Sequence, residues 1–184
     1  WMAPGNGACG RSRMTAAGDE IRVREARPED FAEIDELIVA AYAHDYGPSE
    51  ERGDPMRTAA GRATDFDLWV AHDADEVLLG SITTRRPGGP PLHEDFASDE
   101  LDVRLLGVSP LARRRGVGAA LMARVATHAK AAGFRAVALK TAPNMAGAHR
   151  LYDALGFTRV PERDGLWIGG VRQFGLYTYV LPLE

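Results

Sequence analysis

The chain has 184 residues and a single cysteine, Cys9. A lone thiol closes no intramolecular bridge, and no Cys/His spacing fits a zinc site, so no metal is expected and a reducing, cytoplasmic setting is. No apolar run approaches the roughly 20 residues needed to cross a bilayer, so a membrane span is not expected. Nor is there an excess of positive charge: 22 Lys and Arg against 26 Asp and Glu give a formal net charge of -4. Without general attraction to nucleic acid, any anion site must be a local arginine cluster. Repeats and low-complexity tracts are missing too. What remains is ordinary globular composition, 45% hydrophobic and 26% charged, at the length of one domain. Residues 1–18 lack the apolar centre of a secretory signal and read as a disordered leader or cloning remnant, leaving 19–184 as the domain.

The periodicities then place the elements. Residues 21–26 alternate as a short strand, and 27–47 follow as an amphipathic helix, with Pro28 in its first turn and Phe31, Ile34, Leu37, Ile38 and Ala41 on one face. The stretch 47–64 is rich in turn formers, with a short helical segment conceivable inside it. Runs 67–72 and 77–84, separated by "DADE", read as an antiparallel hairpin, and 87–91, "PGGPP", breaks into a loop. A strand over 101–108, a helix over 115–132 ending at Gly133, a strand over 135–141 and a short helix ending at Gly156 come next. "FTRVPER" and "FGLYTYVLPL" complete the chain as two further strands. The order implies one α/β domain, a sheet of mixed strand direction flanked by helices.

Residues 113–118, "RRRGVG", lead from a strand into a helix. Such a turn presents unpaired backbone N–H groups at the positive end of a helix dipole, and arginines add charge-assisted bonds to phosphate oxygens. A solvated basic turn is the plain alternative. A P-loop would need Lys-Ser/Thr after the second glycine, and a dinucleotide fold a third glycine and a distant acidic residue; neither is present.

With "AHRLYDALGF" at 148–157, this turn resembles the two signatures of the GNAT superfamily of N-acetyltransferases. Arg113, Gly116 and Gly118 match Gln/Arg-x-x-Gly-x-Gly/Ala, and Ala148, Leu151, Tyr152, Gly156 and Phe157 match the second motif. The resemblance covers roughly 21–182. It implies a mostly antiparallel mixed sheet splayed between strands four and five. It also implies acetyl-CoA as cosubstrate, with the pyrophosphate on Arg113, Arg114, Arg115, Gly116, Val117, Gly118 and Ala119. The pantetheine would run beside Leu106, Gly107 and Val108. Tyr152 is the implied general acid toward the departing thiolate. The family often carries asparagine seven residues before that tyrosine; Met145 stands there, and Asn144 beside it is either a cofactor contact or a helix cap.

A protonated amine must lose a proton before attack, so a carboxylate or water relay is needed. Asp102 lies where the family often places a glutamate base, with Glu100 two residues earlier on the same strand face; solvent-facing carboxylates are the alternative. For the acceptor, Tyr42, His44, Asp45, Tyr46, Glu50 and Glu51 gather in one stretch, and His93, Glu94, Asp95, Phe96, Asp99 and Glu100 in another. Carboxylates beside aromatics suit a cationic amine, small or protein-borne, although acidic loops are more often simply solvated. Longer acyl donors, another nucleophile, a non-catalytic acyl-CoA-binding domain and a homodimer all stay open.

Overall fold

The computed structural model describes residues 20–46 and 55–184. The leader and residues 47–54 of the 47–64 connection therefore lie outside the described residues. The element order is β1 (Arg22–Glu25), α1 (Phe31–Tyr46), α2 (Ala59–Arg62), β2 (Phe66–His72), β3 (Leu78–Arg85), β4 (Glu100–Val108) and α3 (Val117–Ala131). After it come β5 (Ala136–Thr141), α4 (Ala146–Ala154), β6 (Thr158–Arg159), β7 (Leu166–Ile168), β8 (Val171–Phe174) and β9 (Tyr177–Pro182). No helix among the described residues is long and apolar enough to cross a membrane.

Seven strands form one sheet in the order β1-β2-β3-β4-β5-β9-β6, with every neighbour antiparallel except β4 and β5. Strand alternation assigns the two faces. Trp69, Ala71, Ile82, Leu101, Val103, Val137 and Leu139 join Val117, Leu121 and Val125 of α3 in the larger core. Leu68, Val70 and Leu78 join Ile34, Leu37 and Ile38 of α1 in the smaller one. Each buried valine, leucine and isoleucine among them contributes about 1.5–3 kcal/mol by leaving water.

Two details differ from the sequence reading. "FTRVPER" contributes only the two residues of β6 and then a 3-10 turn, Pro161–Arg163. Between it and β9 stands a separate two-stranded hairpin, β7–β8. Its turn is Gly169–Gly170, with φ of 59° and 75°, a pair that fits a tight hairpin turn of the kind glycine favours.

The sheet opens where the sequence resemblance placed the opening. β4 and β5 pair only from Glu100↔Ala136 to Val103↔Leu139. Beyond Val103, β4 stays with β3 (Ser81↔Gly107, Gly80↔Val108) while β5 stays with β9. Leu105 has φ 55°, and the β3–β4 register shifts beside it, between Ser81 and Thr83. This bulge kinks β4 away from β5 and leaves the edge of 104–108 unpaired toward the gap.

Candidate active site

A cleft of about 610 Å³ fills this gap. One wall is β4 (Leu106, Gly107, Val108), a second is the turn into α3, and a third is the start of α4 with Asn144, Met145 and Ala146. Ala41 and Tyr42 of α1 close it, and the Tyr42 hydroxyl donates a long hydrogen bond to the Leu106 carbonyl at 3.5 Å. Among the described residues, Arg113, Arg114 and Arg150 supply the charged side chains of its lining, although the chain as a whole is acidic. Field lines from three cations in one cleft favour a polyanion.

The turn into α3 is built to present amides. Arg113 is extended, Arg114 takes φ 61° and Gly116 φ 81°. A non-glycine residue in that region is uncommon and costs about 1 kcal/mol or more, so tertiary structure holds Arg114 there. Gly116 is the N-cap of α3 and supplies no side-chain cap, and Val117, Gly118 and Ala119 border the cleft. Their first-turn N–H groups have no intrahelical acceptor, so they suit an anion. A Cβ on Gly116 would meet nothing within 4 Å, so its requirement is conformational. Gly118 differs, because a Cβ there would lie 2.9 Å from Leu151 Cδ2. It serves the α3–α4 contact.

Tyr152 also lines the cleft and is 6% exposed, packed against Phe157 and Tyr179 with ring centroids 5.7 and 5.6 Å away. Asn144 borders the cleft but does not cap α4; Met145 occupies the N-cap position, without a side-chain cap. The helix-cap expectation for Asn144 is thereby corrected. Of the arginine triplet, Arg113 and Arg114 line the cleft and Arg115 does not.

Asp102 and Glu100 sit outside this lining. Leu101 and Val103 feed the α3 core, so the even residues turn to the opposite face. Glu100 is engaged by Arg163, whose Nη1 and Nη2 donate to Oε1 and Oε2 at 2.6 and 2.8 Å, and by the Ala97 amide at 2.9 Å. Burial pushes its carboxyl up, but the Arg163 fork and the amide outweigh that and hold it below the usual carboxylate range. With both oxygens committed, Glu100 is a structural partner of Arg163 and is poorly placed as a base. Asp102 is 0% exposed; its Oδ2 accepts the His93 amide at 2.7 Å and faces His93 Nδ1 at 3.3 Å.

The loop expected to be acidic and solvated is tied down. Glu94 accepts the Gly169 and Gly170 amides at 2.9 and 2.8 Å, Asp95 meets the buried Lys140 ammonium at 2.8 Å, and Asp99 pairs with Arg135. Phe96 lies beneath Lys140 and Arg163, 5.1 and 4.9 Å from its ring. Of the other acceptor group, Tyr42 belongs to the cleft wall, while the side chains of His44, Asp45, Tyr46, Glu50 and Glu51 lie outside the described residues. No group of three or more metal-ligating side chains occurs among the described residues.

A sheet opened between its parallel pair, with a glycine turn and helix N-terminus at the mouth, defines the class to which the chain conforms. A sequence model of the "Acetyltransferase (GNAT) family" matches residues 24–157, and the chain belongs to that family. It is 36% identical over 92 residues to "Probable N-acetyltransferase camello" of Xenopus laevis, an alignment spanning 50% of this chain and 38% of that protein. Its fold is similar to that of a GNAT-family acetyltransferase from Staphylococcus aureus Mu50 (TM-score 0.71, 16% identity, 90% of this chain and 100% of that one). It is also similar to that of yncA from Salmonella typhimurium, solved with its cofactor acetyl-CoA (TM-score 0.67, 20% identity, 90% and 95%).

Proposed function

We propose that the chain is an acetyl-CoA-dependent N-acetyltransferase that moves the acetyl group directly to an amine. The observation that carries this reading is the cleft itself: the free edge of β4, the α3 N-terminus at Gly116 and three arginines converge there. The diphosphate fits the amides of 117–119 with Arg113 and Arg114, and an extended amide-bearing arm fits the unpaired edge at 106–108, as an added strand would. Acetyl-CoA supplies a thioester as acyl donor. The chain's residues position it, exclude water with Leu106, Val108 and Leu151, and offer the Tyr152 hydroxyl to the leaving sulfur. No covalent enzyme intermediate is required, and among the described residues no Ser, Cys or Lys lines the cleft. The family membership supports the transfer chemistry.

The test is release of free CoA thiol from acetyl-CoA across a panel of small amines, amino acids and lysine-containing peptides. Amine-dependent release is expected. Tight CoA binding without turnover on any amine would instead make the chain an acyl-CoA-binding domain, and faster turnover of a longer thioester would reassign the donor.

A further inference from the structure

We propose that His93 is the base that takes the acceptor's proton, with Asp102 as the buried carboxylate that orients it. This rests on the acetyltransfer reading and revises the place of Asp102 within it. Asp102 is 0% exposed and makes its side-chain contact with His93 Nδ1, 3.3 Å away, so a carboxylate sealed from substrate acts through the ring it holds. A carboxylate oxygen accepts, which puts the ring proton on Nδ1 and the lone pair on Nε2. Among the described residues Nε2 makes no hydrogen bond, and the ring is 4% exposed where Asp102 is fully sealed. The arrangement is that of a carboxylate–imidazole base pair, in which the far nitrogen does the chemistry.

The site is rigid where a base needs rigidity. His93 follows a run of prolines and glycines, yet its own amide is held by Asp102, Glu94 is held by the β7–β8 turn, Asp95 by Lys140 and Phe96 by its ring contacts with Lys140 and Arg163. His93 also meets Phe96 edge-on at 5.3 Å. Its location is right as well: Asp102 immediately precedes Val103, the last β4 residue paired with β5, so the pair stands at the vertex of the opening. An acyl arm entering past 113–118 and running along 108–106 brings its thioester end toward that vertex.

The balance closes. The acceptor ammonium gives one proton to Nε2, the freed nitrogen attacks the thioester carbonyl, and a C–N bond forms as the C–S bond breaks. The Tyr152 hydroxyl protonates the departing thiolate and recovers a proton from the new amide nitrogen, and His93 returns its proton to water. The charged group in contact with this histidine is Asp102; of the charged groups on the neighbouring elements, Glu100 pairs with Arg163, Asp95 with Lys140, Glu94 with the β7–β8 turn amides, and Arg85 with the Ala97 carbonyl.

The test compares wild type with H93Q, which keeps a donor toward Asp102 but cannot titrate. With acetyl-CoA and the amine of the panel that wild type turns over fastest, kcat/KM is expected to fall by about 10²-fold or more and the rising limb of its pH profile to vanish. CoA affinity stays within about twofold. An unchanged pH profile overturns the proposal. A second measurement needs no variant and no acceptor: nitrogen NMR of the wild-type imidazole is expected to show the Nδ1–H tautomer for His93, and the Nε2–H tautomer would overturn the proposal. Failure of wild type on every amine would instead sink the acetyltransfer reading.

Discussion

A Cβ placed on Gly118 of α3 would stand 2.9 Å from Leu151 Cδ2 of α4, so the signature glycine and the residue before Tyr152 share one packing contact. The two sequence motifs are thus physically coupled. The start of α3 and the helix that carries Tyr152 meet at that contact.

The first prediction follows from that contact. Gly118→Ala forces Leu151 to move, and Leu151→Ala alone leaves a gap, but together they relieve each other. A double-mutant cycle on chemical denaturation should give a favourable coupling of about 0.5–2 kcal/mol. Additive effects would mean that Leu151 yields freely. Gly116→Ala should not be rescued by Leu151→Ala, because its cost of about 1 kcal/mol is backbone strain at φ 81° and not a clash.

Arg113→Ala and Arg114→Ala each remove a charge from the cleft mouth. A charge-assisted hydrogen bond is worth about 1.5–3 kcal/mol, so CoA affinity should fall about tenfold or more for each, and less steeply at high salt. Pantetheine, which has no diphosphate, should bind both variants as it binds wild type. Calorimetric titration with the two ligands checks this.

Tyr152→Phe keeps the ring against Phe157 and Tyr179 and removes only the hydroxyl. Turnover should drop by about 10²-fold with CoA affinity nearly unchanged. Equal losses in both would make the hydroxyl a binding group instead of an acid.

The Glu100–Arg163 fork gives a pH prediction. The folded carboxyl titrates below its unfolded value, so the pair stabilises fully above the ordinary carboxylate range and the benefit is lost as pH falls through the lowered value. Glu100→Gln should cost about 2–3 kcal/mol near neutral pH and progressively less in acid, measured as thermal or urea unfolding across pH. A constant difference at all pH values would contradict the pairing.

These residues also show what the sequence made legible. Periodicity placed β1, α1, the β2–β3 hairpin, β4, α3, β5 and α4, because each carries an apolar face of the right period, and Gly133 and Gly156 stop their helices at φ 84° and 86°. The glycine turn and Tyr152 were legible as motifs. The bulge at Leu105 was not, since leucine has no preference for φ 55° and only tertiary strain puts it there. The β7–β8 hairpin has a local sign, two glycines between "LWI" and "VRQF", but its strands are short and largely exposed and carry no apolar alternation to match that of β9. Arg163 looked like part of a strand, and its pairing with Glu100, 63 positions away, is invisible to local reasoning. His93 was noticed as one member of an acidic, aromatic stretch; its pairing with Asp102 depends on how the loop folds back over β4.

The central claim is that the opening between β4 and β5 seats acetyl-CoA for transfer. A crystal structure of the protein with acetyl-CoA tests it most directly. The account predicts the diphosphate on the amides of 117–119 with Arg113 and Arg114 beside it, the pantetheine along 106–108, and the thioester within reach of Tyr152 and His93. Density for the ligand anywhere outside that opening, or a diphosphate with no contact to the start of α3, would contradict it.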